Sequence, residues 1–155
     1  MTEIKRAFYK SEIGTIEVKG TESQITSVLF SKKKQPVIKE ASKVIDRYIH
    51  QLDEYFNGQR KEFSLDFVLE GTDFQKKVWW EIMKVPYGKT ASYKDIARRI
   101  GNSGASRAVG NASKNNKIVF IVPCHRIIGS HNELTGYGGE LWRKEWLLKH
   151  EKKFS

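Results

Sequence analysis

The clearest structural signal in the chain lies in residues 92–115, which read SYKDIARRIGNSGASRAVGNASKN. Ser92 and Asp95 have the spacing of a capping box, and apolar residues follow at helical spacing until Gly101. A turn at 102–104 then leads into a second helical stretch that runs to the end of the segment. Two helices joined by a short turn that contains glycine are typical of a helix-turn-helix.

The second of these helices is rich in small residues and has one long basic side chain, Arg107, in its first turns. Gly110 weakens an isolated helix by about 1 kcal/mol relative to alanine, so its presence favours close approach to another surface. One interpretation is close packing against another helix. The other is a helix backbone pressed against DNA with Arg107 reaching in, which predicts contacts largely indifferent to base sequence.

A third helix is predicted just before this pair. Thr72 and Gln75 have the capping-box spacing, an apolar face follows, and Pro86 with Gly88 ends the pattern. The pair Gly71-Thr72 therefore marks the start of a mainly helical region.

The first part of the chain has a different pattern. Three short β-prone runs are followed by a helical pattern that opens at Pro36 and stops at Asn57-Gly58, and a last alternation at 63–67 predicts one more strand. We therefore predict an α+β fold, with a small α/β support domain over residues 1–70 and a mainly helical domain over residues 71–155.

The charge distribution separates the same two regions. The chain has 155 residues and a formal net charge of +10. Residues 1–70 carry 12 basic and 11 acidic side chains, whereas residues 71–155 carry 16 basic and 7 acidic ones. A strongly basic second half should attract a polyanion, and nucleic acid is the leading candidate. The plainer interpretation is a basic surface that has no such partner.

Composition excludes several other classes of protein. A single cysteine excludes an internal disulfide and a zinc site built on paired cysteines, so we expect no metal and no other cofactor. No apolar run is long enough to span a membrane, and the N-terminus lacks an apolar signal core. We expect a monomer in the cytoplasm.

The single cysteine follows the apolar run 117–122, which predicts a buried strand. Taken alone, Cys124 is best explained as a small buried hydrophobic residue. Its neighbours His125 and Arg126 favour another interpretation, because basic groups lower the pKa of a thiol and a histidine held by an acid can act as a base.

Here the chain resembles the 6-O-alkylguanine-DNA alkyltransferases, also called methylated-DNA–protein-cysteine methyltransferases. The resemblance is strong from about residue 72 to residue 153, whereas the first half matches only in length and coarse pattern. The matching motifs are Pro123-Cys124-His125-Arg126-Ile127-Ile128, Ser92-Tyr93, Ser106-Arg107-Ala108-Val109-Gly110-Asn111-Ala112, Asn116, Gly136-Tyr137-Gly138-Gly139 and residues 144–151.

The resemblance implies a catalytic role for five residues. Cys124 would be the nucleophile and final alkyl acceptor, His125 would act as its base through a water, and Glu151 would orient the histidine. Asn116 would be the hinge between the recognition helix and the active-site strand. Tyr93 would hydrogen-bond the flipped base and help to protonate it.

The resemblance also implies the DNA contacts and the fold. Arg107 would fill the gap that a flipped base leaves in the duplex. A ribonuclease-H-like domain would precede a winged-helix-like domain with a helix-turn-helix. Further DNA contacts would come from Tyr93, Lys94, Asn102, Ser106 and Ser130, and the base pocket would be walled by Tyr137, Gly138 and Gly139.

The implied function is repair of DNA by a protein that is consumed. The sulfur would take the alkyl group from 6-O-methylguanine, and also from other 6-O-alkylguanines and 4-O-methylthymine, in double-stranded DNA. The thioether product offers water no electrophilic carbonyl, which predicts a single turnover. Two positions depart from the family pattern: Lys117 stands where proline is usual, and Glu140 stands where a small residue is usual.

Two alternatives stay open on the residues alone. One is a DNA-binding regulator that keeps Cys124 in its core. The other is a cysteine hydrolase that uses Cys124, His125 and Glu151, although its dyad would lie in a basic half suited to DNA.

Overall fold

A computed structural model describes residues 3–32, 42–130 and 140–155. The chain divides into two compact units, Met1–Leu69 and Glu70–Ser155. The first unit holds a small sheet and a helix and the second is mainly helical, so the predicted α+β class is confirmed. No helix among the described residues is long and apolar enough to cross a bilayer.

The sheet of the first unit is an antiparallel meander of three strands. They are β1 (Lys5–Ser11), β2 (Gly14–Gly20) and β3 (Ile25–Phe30), in the order β1-β2-β3. Strand β2 buries every second residue from Ile16 to Gly20, as a sheet with one covered face requires, and a register shift at Lys19 and Gly20 interrupts the regular pairing with β3. The inward side chains include Ile16, Val18, Ile25 and Val28, which are fully buried.

Helix α1 (Lys43–Phe56) packs against β1 and β2. Its N-cap is Ser42, whose hydroxyl accepts a hydrogen bond from the backbone N–H of Ile45 at 3.3 Å. The helix therefore begins well after Pro36, where the sequence pattern placed its opening; residues 33–41 lie outside the described part of the chain. Asn57 caps its C-terminus, and Gly58 follows with φ of 75°, as the Asn-Gly stop predicted.

The strand predicted at 63–67 does not form. Only an isolated parallel bridge joins Phe67 to Ile25. The reason lies in Gln51, whose side-chain amide donates to the carbonyl of Ser64 at 3.0 Å and accepts from its N–H at 2.9 Å. The backbone groups of Ser64 are thus satisfied by a side chain, and pairing with β3 is limited to hydrogen bonds between Ile25 and residues Asp66 and Val68, both at 2.9 Å.

Three helices build the first part of the second unit: α2 (Asp73–Met83), α3 (Tyr93–Arg99) and α4 (Ser106–Lys114), and each contacts the other two. Both predicted capping boxes are present, at the start of α2 and of α3. Helices α3 and α4 are joined by a turn in which Gly101 has φ of 80°. Strand β4 (Ala91–Ser92) precedes α3, and helix α5 (Leu141–Phe154) ends the chain.

Residues 118–122 of the predicted strand are buried as expected, but they do not form a strand. The backbone folds into a tight turn in which the Val122 N–H donates to the carbonyl of Ile118 at 3.0 Å. Phe120 has φ of 73°, a left-handed conformation that a β-strand does not allow. The prediction was wrong because an apolar, β-branched run marks burial more reliably than it marks extended backbone.

Candidate active site

Cys124 lies in a single 3₁₀ turn, Cys124–Arg126, which continues into strand β5 (Ile127–Ile128). Strand β5 pairs in parallel with β4, and this pairing ties the turn to the start of α3. The turn itself is held by the N–H of Arg126, which donates to the carbonyl of Pro123 at 2.9 Å. Cys124 is 4% exposed, so its sulfur is almost fully enclosed by the protein.

Asn116, just beyond the end of α4, connects that helix to the sulfur. Its side-chain N–H groups donate to the carbonyl of Val122 at 2.9 Å and to Sγ of Cys124 at 3.2 Å. Its side-chain oxygen accepts from the N–H of Ile118 at 2.9 Å. One buried amide thereby holds both ends of the turn before Cys124 and supplies a hydrogen bond to the sulfur.

The resting sulfur is a thiol. Burial raises the pKa of Cys124 to about 11, and the hydrogen bond from Asn116 and the positive charge of Lys144 offset this rise only in part. The sequence had pointed to Arg126 as the group that favours the thiolate. That expectation was wrong, because Arg126 points its guanidinium at Glu151. A base must therefore remove the proton before the sulfur can attack.

His125, Arg126 and Glu151 form a buried cluster around one carboxylate. Nε2 of His125 lies 2.6 Å from Oε2 of Glu151. Arg126 donates from Nε to Oε1 at 2.8 Å and from Nη2 to Oε2 at 3.0 Å, and it also donates to the carbonyl of Val85 at 2.9 Å. The N–H of Gly88 donates to the same carboxylate at 3.3 Å.

The cluster sets the protonation state of each member. Burial raises the pKa of Glu151, but His125 and Arg126 outweigh burial and hold that pKa well below its usual range. Burial lowers the pKa of His125, against the opposing effect of Glu151, which leaves the imidazole neutral at pH 7. Because Nε2 faces the carboxylate, it carries the ring proton and Nδ1 keeps a lone pair. Nδ1 is buried and has no hydrogen-bond partner within the described part of the protein.

Sequence reasoning missed Lys144, on helix α5. This lysine is 0% exposed, and its ammonium donates to the carbonyl of Ile127 and lies 5.7 Å from the centre of the Tyr93 ring. Burial lowers the pKa of Lys144 to about 8. The available signal was helical spacing, because Lys144, Leu147 and Glu151 share the buried face of α5.

The residues expected to contact DNA lie on different elements of the second unit. Tyr93 and Lys94 begin α3, Ser106 and Arg107 begin α4, Asn102 lies in the turn between these helices, and Ser130 follows β5. Lys94, Asn102, Arg107 and Ser130 are exposed, whereas Tyr93 and Ser106 are half-buried. Of these residues, the structure brings Tyr93 next to Lys144. The expected pocket residues Tyr137, Gly138 and Gly139 lie outside the described residues.

The two positions that depart from the family pattern are both exposed. Glu140 immediately precedes α5, has φ of 85° and accepts a hydrogen bond from the Trp142 indole at 2.6 Å. Lys117 stands at the start of the turn that Asn116 organises.

Within residues 3–32, 42–130 and 140–155, no group of three or more His, Cys, Asp and Glu side chains could hold a metal ion.

Two sequence families match the chain, one in each unit. Residues 4–69 match the family described as 6-O-methylguanine DNA methyltransferase, ribonuclease-like domain. Residues 73–153 match the family described as 6-O-methylguanine DNA methyltransferase, DNA binding domain.

Individual proteins match along almost the whole chain. A methylated-DNA–protein-cysteine methyltransferase from Methanosarcina acetivorans is 44% identical over 150 residues, which are 94% of this chain and 96% of the relative. The crystal structure of Mycobacterium tuberculosis O6-methylguanine methyltransferase superposes with a TM-score of 0.89 at 38% identity, covering 99% of this chain and 95% of the other. A crystal structure of Mycobacterium tuberculosis OGT in complex with DNA superposes with a TM-score of 0.87 at 40% identity, covering 96% of this chain and 92% of the other.

Proposed function

The chain belongs to the 6-O-methylguanine DNA methyltransferase family, and on that basis we propose that it repairs alkylated DNA by moving the alkyl group onto its own Cys124. The substrate is 6-O-methylguanine in double-stranded DNA, together with other 6-O-alkylguanines and 4-O-methylthymine. The observation that carries the assignment is the buried His125–Glu151 pair at 2.6 Å, because His125 lies in the same 3₁₀ turn as the free thiol of Cys124.

The first step removes the thiol proton. A water passes this proton from Sγ of Cys124 to Nδ1 of His125, and the Glu151 carboxylate stabilises the imidazolium that forms. The neutral state of the imidazole and the lone pair on Nδ1 support His125 as the base. The hydrogen bond from Asn116 to Sγ, at 3.2 Å, stabilises the thiolate.

The second step is an in-line displacement at carbon. The sulfur forms a bond to the alkyl carbon, the bond from that carbon to the guanine oxygen breaks, and its electron pair stays on the guanine. The Tyr93 hydroxyl donates a proton to the guanine ring, because a neutral guanine is the better leaving group. A positioned acid of this kind contributes about 10²–10⁴ in rate.

The reaction ends with a thioether at Cys124. The bond from sulfur to carbon has no activated group that water could attack, so each protein molecule reacts once. A free thiol is required throughout, and a reducing compartment preserves it; we place the protein in the cytoplasm, as a monomer.

The DNA must deliver its base to an enclosed sulfur. We propose that the protein rotates the alkylated nucleotide out of the duplex, at a cost of a few kcal/mol. Arg107 fills the gap, and Lys94, Asn102, Ser106 and Ser130 contact the backbone. The exposure of Arg107 in the first turn of α4 supports this role. Tyr137, Gly138 and Gly139 wall the base pocket. In this scheme residues 71–155 bind DNA and carry the reaction, and residues 1–70 support them.

Label transfer from DNA to protein tests the proposal. Duplex DNA with a radiolabelled methyl group on the guanine oxygen is incubated with the wild type and with Cys124→Ala. We expect one label per wild-type molecule and none on the variant. Sequence-selective binding without label on the protein would instead indicate a regulator, and repeated release of an acyl product would indicate a hydrolase.

A further inference from the structure

Ser113 is a buried serine in the last turn of α4. It lies between the matching stretch 106–112 and Asn116, and it belongs to neither motif. The residue is 4% exposed, and its Oγ bonds to no protein group within the described part of the chain. A buried hydroxyl without a hydrogen-bond partner is costly, so this one points to a partner that does not come from the described residues.

The helix itself makes no use of this hydroxyl. A serine inside a helix commonly donates to the carbonyl four residues earlier, which for Ser113 is the carbonyl of Val109. Ser113 makes no such bond. The last turn closes through the backbone instead, because the N–H of Asn115 donates to the carbonyls of Asn111 and Ser113.

The end of α4 directs Ser113 and Asn116 to the same side. The N–H of Asn116 donates to the carbonyl of Ser113 at 3.4 Å, which is the three-residue hydrogen bond of a 3₁₀ turn. Side chains three residues apart eclipse each other in such a turn. Because the Asn116 amide donates to Sγ of Cys124 at 3.2 Å, the Ser113 hydroxyl lies on the side of α4 that faces the sulfur.

The turn that carries the sulfur holds a second buried polar atom of this kind. His125 is 1% exposed, and its Nδ1 bonds to no group among the described residues. Its Nε2 lies 2.6 Å from the Glu151 carboxylate, which fixes the ring and leaves Nδ1 as an acceptor. A hydroxyl and a ring nitrogen beside one sulfur are the polar groups that a buried water needs, since such a water makes about three hydrogen bonds.

We propose that Ser113 is a positioning residue whose hydroxyl holds the water that carries the proton from Cys124 to His125. The water accepts the hydrogen bond of the Ser113 hydroxyl, donates to Nδ1 of His125 and accepts from the thiol of Cys124. The inference rests on the proposed function, because it names the residue that places the relay water of that reaction.

The hydroxyl acts without a change in its own protonation. The thiol proton passes from Sγ of Cys124 to the water oxygen, while a proton of the water passes to Nδ1 of His125. The sulfur becomes a thiolate, the imidazole becomes an imidazolium, and the water is restored. Ser113 keeps its proton and fixes the water within hydrogen-bond reach of both the donor and the acceptor, as proton transfer requires.

The reaction with free 6-O-benzylguanine tests this role, because it needs the thiolate but no DNA. Ser113→Ala removes the hydroxyl and should slow the reaction at least about tenfold, whereas Ser113→Thr keeps the hydroxyl and should restore most of the rate. The free energy of unfolding should not fall in Ser113→Ala, because alanine has no polar group to satisfy and suits a helix better than serine. A merely structural hydroxyl would give lower stability at an unchanged rate.

The matched control is Ser103→Ala, in the exposed turn before α4. It removes a hydroxyl from the surface and should change neither the rate nor the stability. An undiminished rate in Ser113→Ala overturns the inference. A loss of rate that a stably folded Ser113→Thr protein does not restore overturns it as well.

A direct observation of the water keeps the inference testable if a variant does not fold. A crystal structure of the wild type that shows ordered water should place one molecule within hydrogen-bond distance of both Oγ of Ser113 and Nδ1 of His125. A water on one of these atoms alone, or on neither, would contradict the inference. A wild type that holds this water but accepts no label from DNA would overturn the proposed function and leave the place of the water at Ser113 intact.

Discussion

Nε2 of His125 lies 2.6 Å from Oε2 of Glu151, and both side chains are 1% exposed although they are 26 residues apart in the chain. The same carboxylate accepts two hydrogen bonds from Arg126. Glu151 therefore orients the base and at the same time neutralises a buried guanidinium.

Replacement of this carboxylate should affect both rate and stability. Glu151→Gln leaves Arg126 without a counter-charge, which should lower the free energy of unfolding by about 3 kcal/mol. It should also slow methyl transfer by about 10²-fold, because the imidazolium loses its partner. Glu145→Gln, on the exposed face of the same helix, is the control for both measurements. Normal transfer by a destabilised Glu151→Gln protein would show that the carboxylate is only structural.

The free energy of unfolding should fall as the pH falls, because of the shifted pKa values of His125 and Glu151. The pKa of Glu151 is lower in the folded protein than its ordinary value of 4.5, so its stabilisation is present above pH 4.5 and is lost as the pH falls further. The pKa of His125 is lower than 6.5, so its contribution also weakens as the pH falls below 6.5. Chemical denaturation between pH 7 and pH 3 should give a falling free energy of unfolding, with a flatter slope below pH 4.5 in Glu151→Gln.

Asn116 should be needed for the shape of the site. Asn116→Ala removes the hydrogen bonds to Val122, Cys124 and Ile118, and should lower the free energy of unfolding by about 2–3 kcal/mol. The reaction with free 6-O-benzylguanine should slow as well, because the thiolate loses a donor. Asn115→Ala is the neighbouring control, since its exposed amide bonds only to the carbonyl of Asn111 among the bonds described. Equal effects of the two variants would contradict the role given to Asn116.

Gly110 offers a test of how closely α4 approaches DNA. A Cβ atom at this position would meet the Tyr93 ring at 3.9 Å, which is an ordinary contact. Gly110→Ala should therefore not destabilise the protein, and helix propensity favours it by about 1 kcal/mol. Repair of duplex DNA should nevertheless slow while the reaction with free 6-O-benzylguanine stays unchanged. Unimpaired repair of the duplex would show that this backbone does not press against DNA.

Arg107 should act on the duplex and not on the chemistry. Arg107→Ala should weaken repair of duplex DNA much more than reaction with free 6-O-benzylguanine, because only the duplex has a gap to fill. Lys114→Ala, at the other end of α4, removes the same charge and serves as the comparison. If both variants slow duplex repair to the same extent, the role of Arg107 is one of general electrostatic attraction.

Local chemistry explains which parts of the fold could be predicted. The ends of α2 and α3 follow from Thr72 with Gln75 and from Ser92 with Asp95, whose side chains satisfy backbone groups within one helical turn. The prediction of strands at 63–67 and 117–122 was wrong, because side chains take the place of a neighbouring strand as hydrogen-bond partners of the backbone. The side chain of Gln51, 13 residues away in the chain, satisfies the backbone groups of Ser64, and the side chain of Asn116 satisfies those of Ile118 and Val122. Neither hydrogen bond follows from the alternation of apolar and polar residues.

By itself, the sequence determined the starts of α2 and α3, the basic second half and the motif that places a histidine directly after the single cysteine, because each depends on residues close together in the chain. Only the tertiary structure decided that the thiol is neutral at rest and that Arg126 faces Glu151 instead of the sulfur. It also placed the ammonium of Lys144 between the Tyr93 ring and the Cys124 turn. The physical reason is that desolvation and charge–charge distances arise from packing between α3, α5 and the Cys124 turn, and no local pattern encodes them.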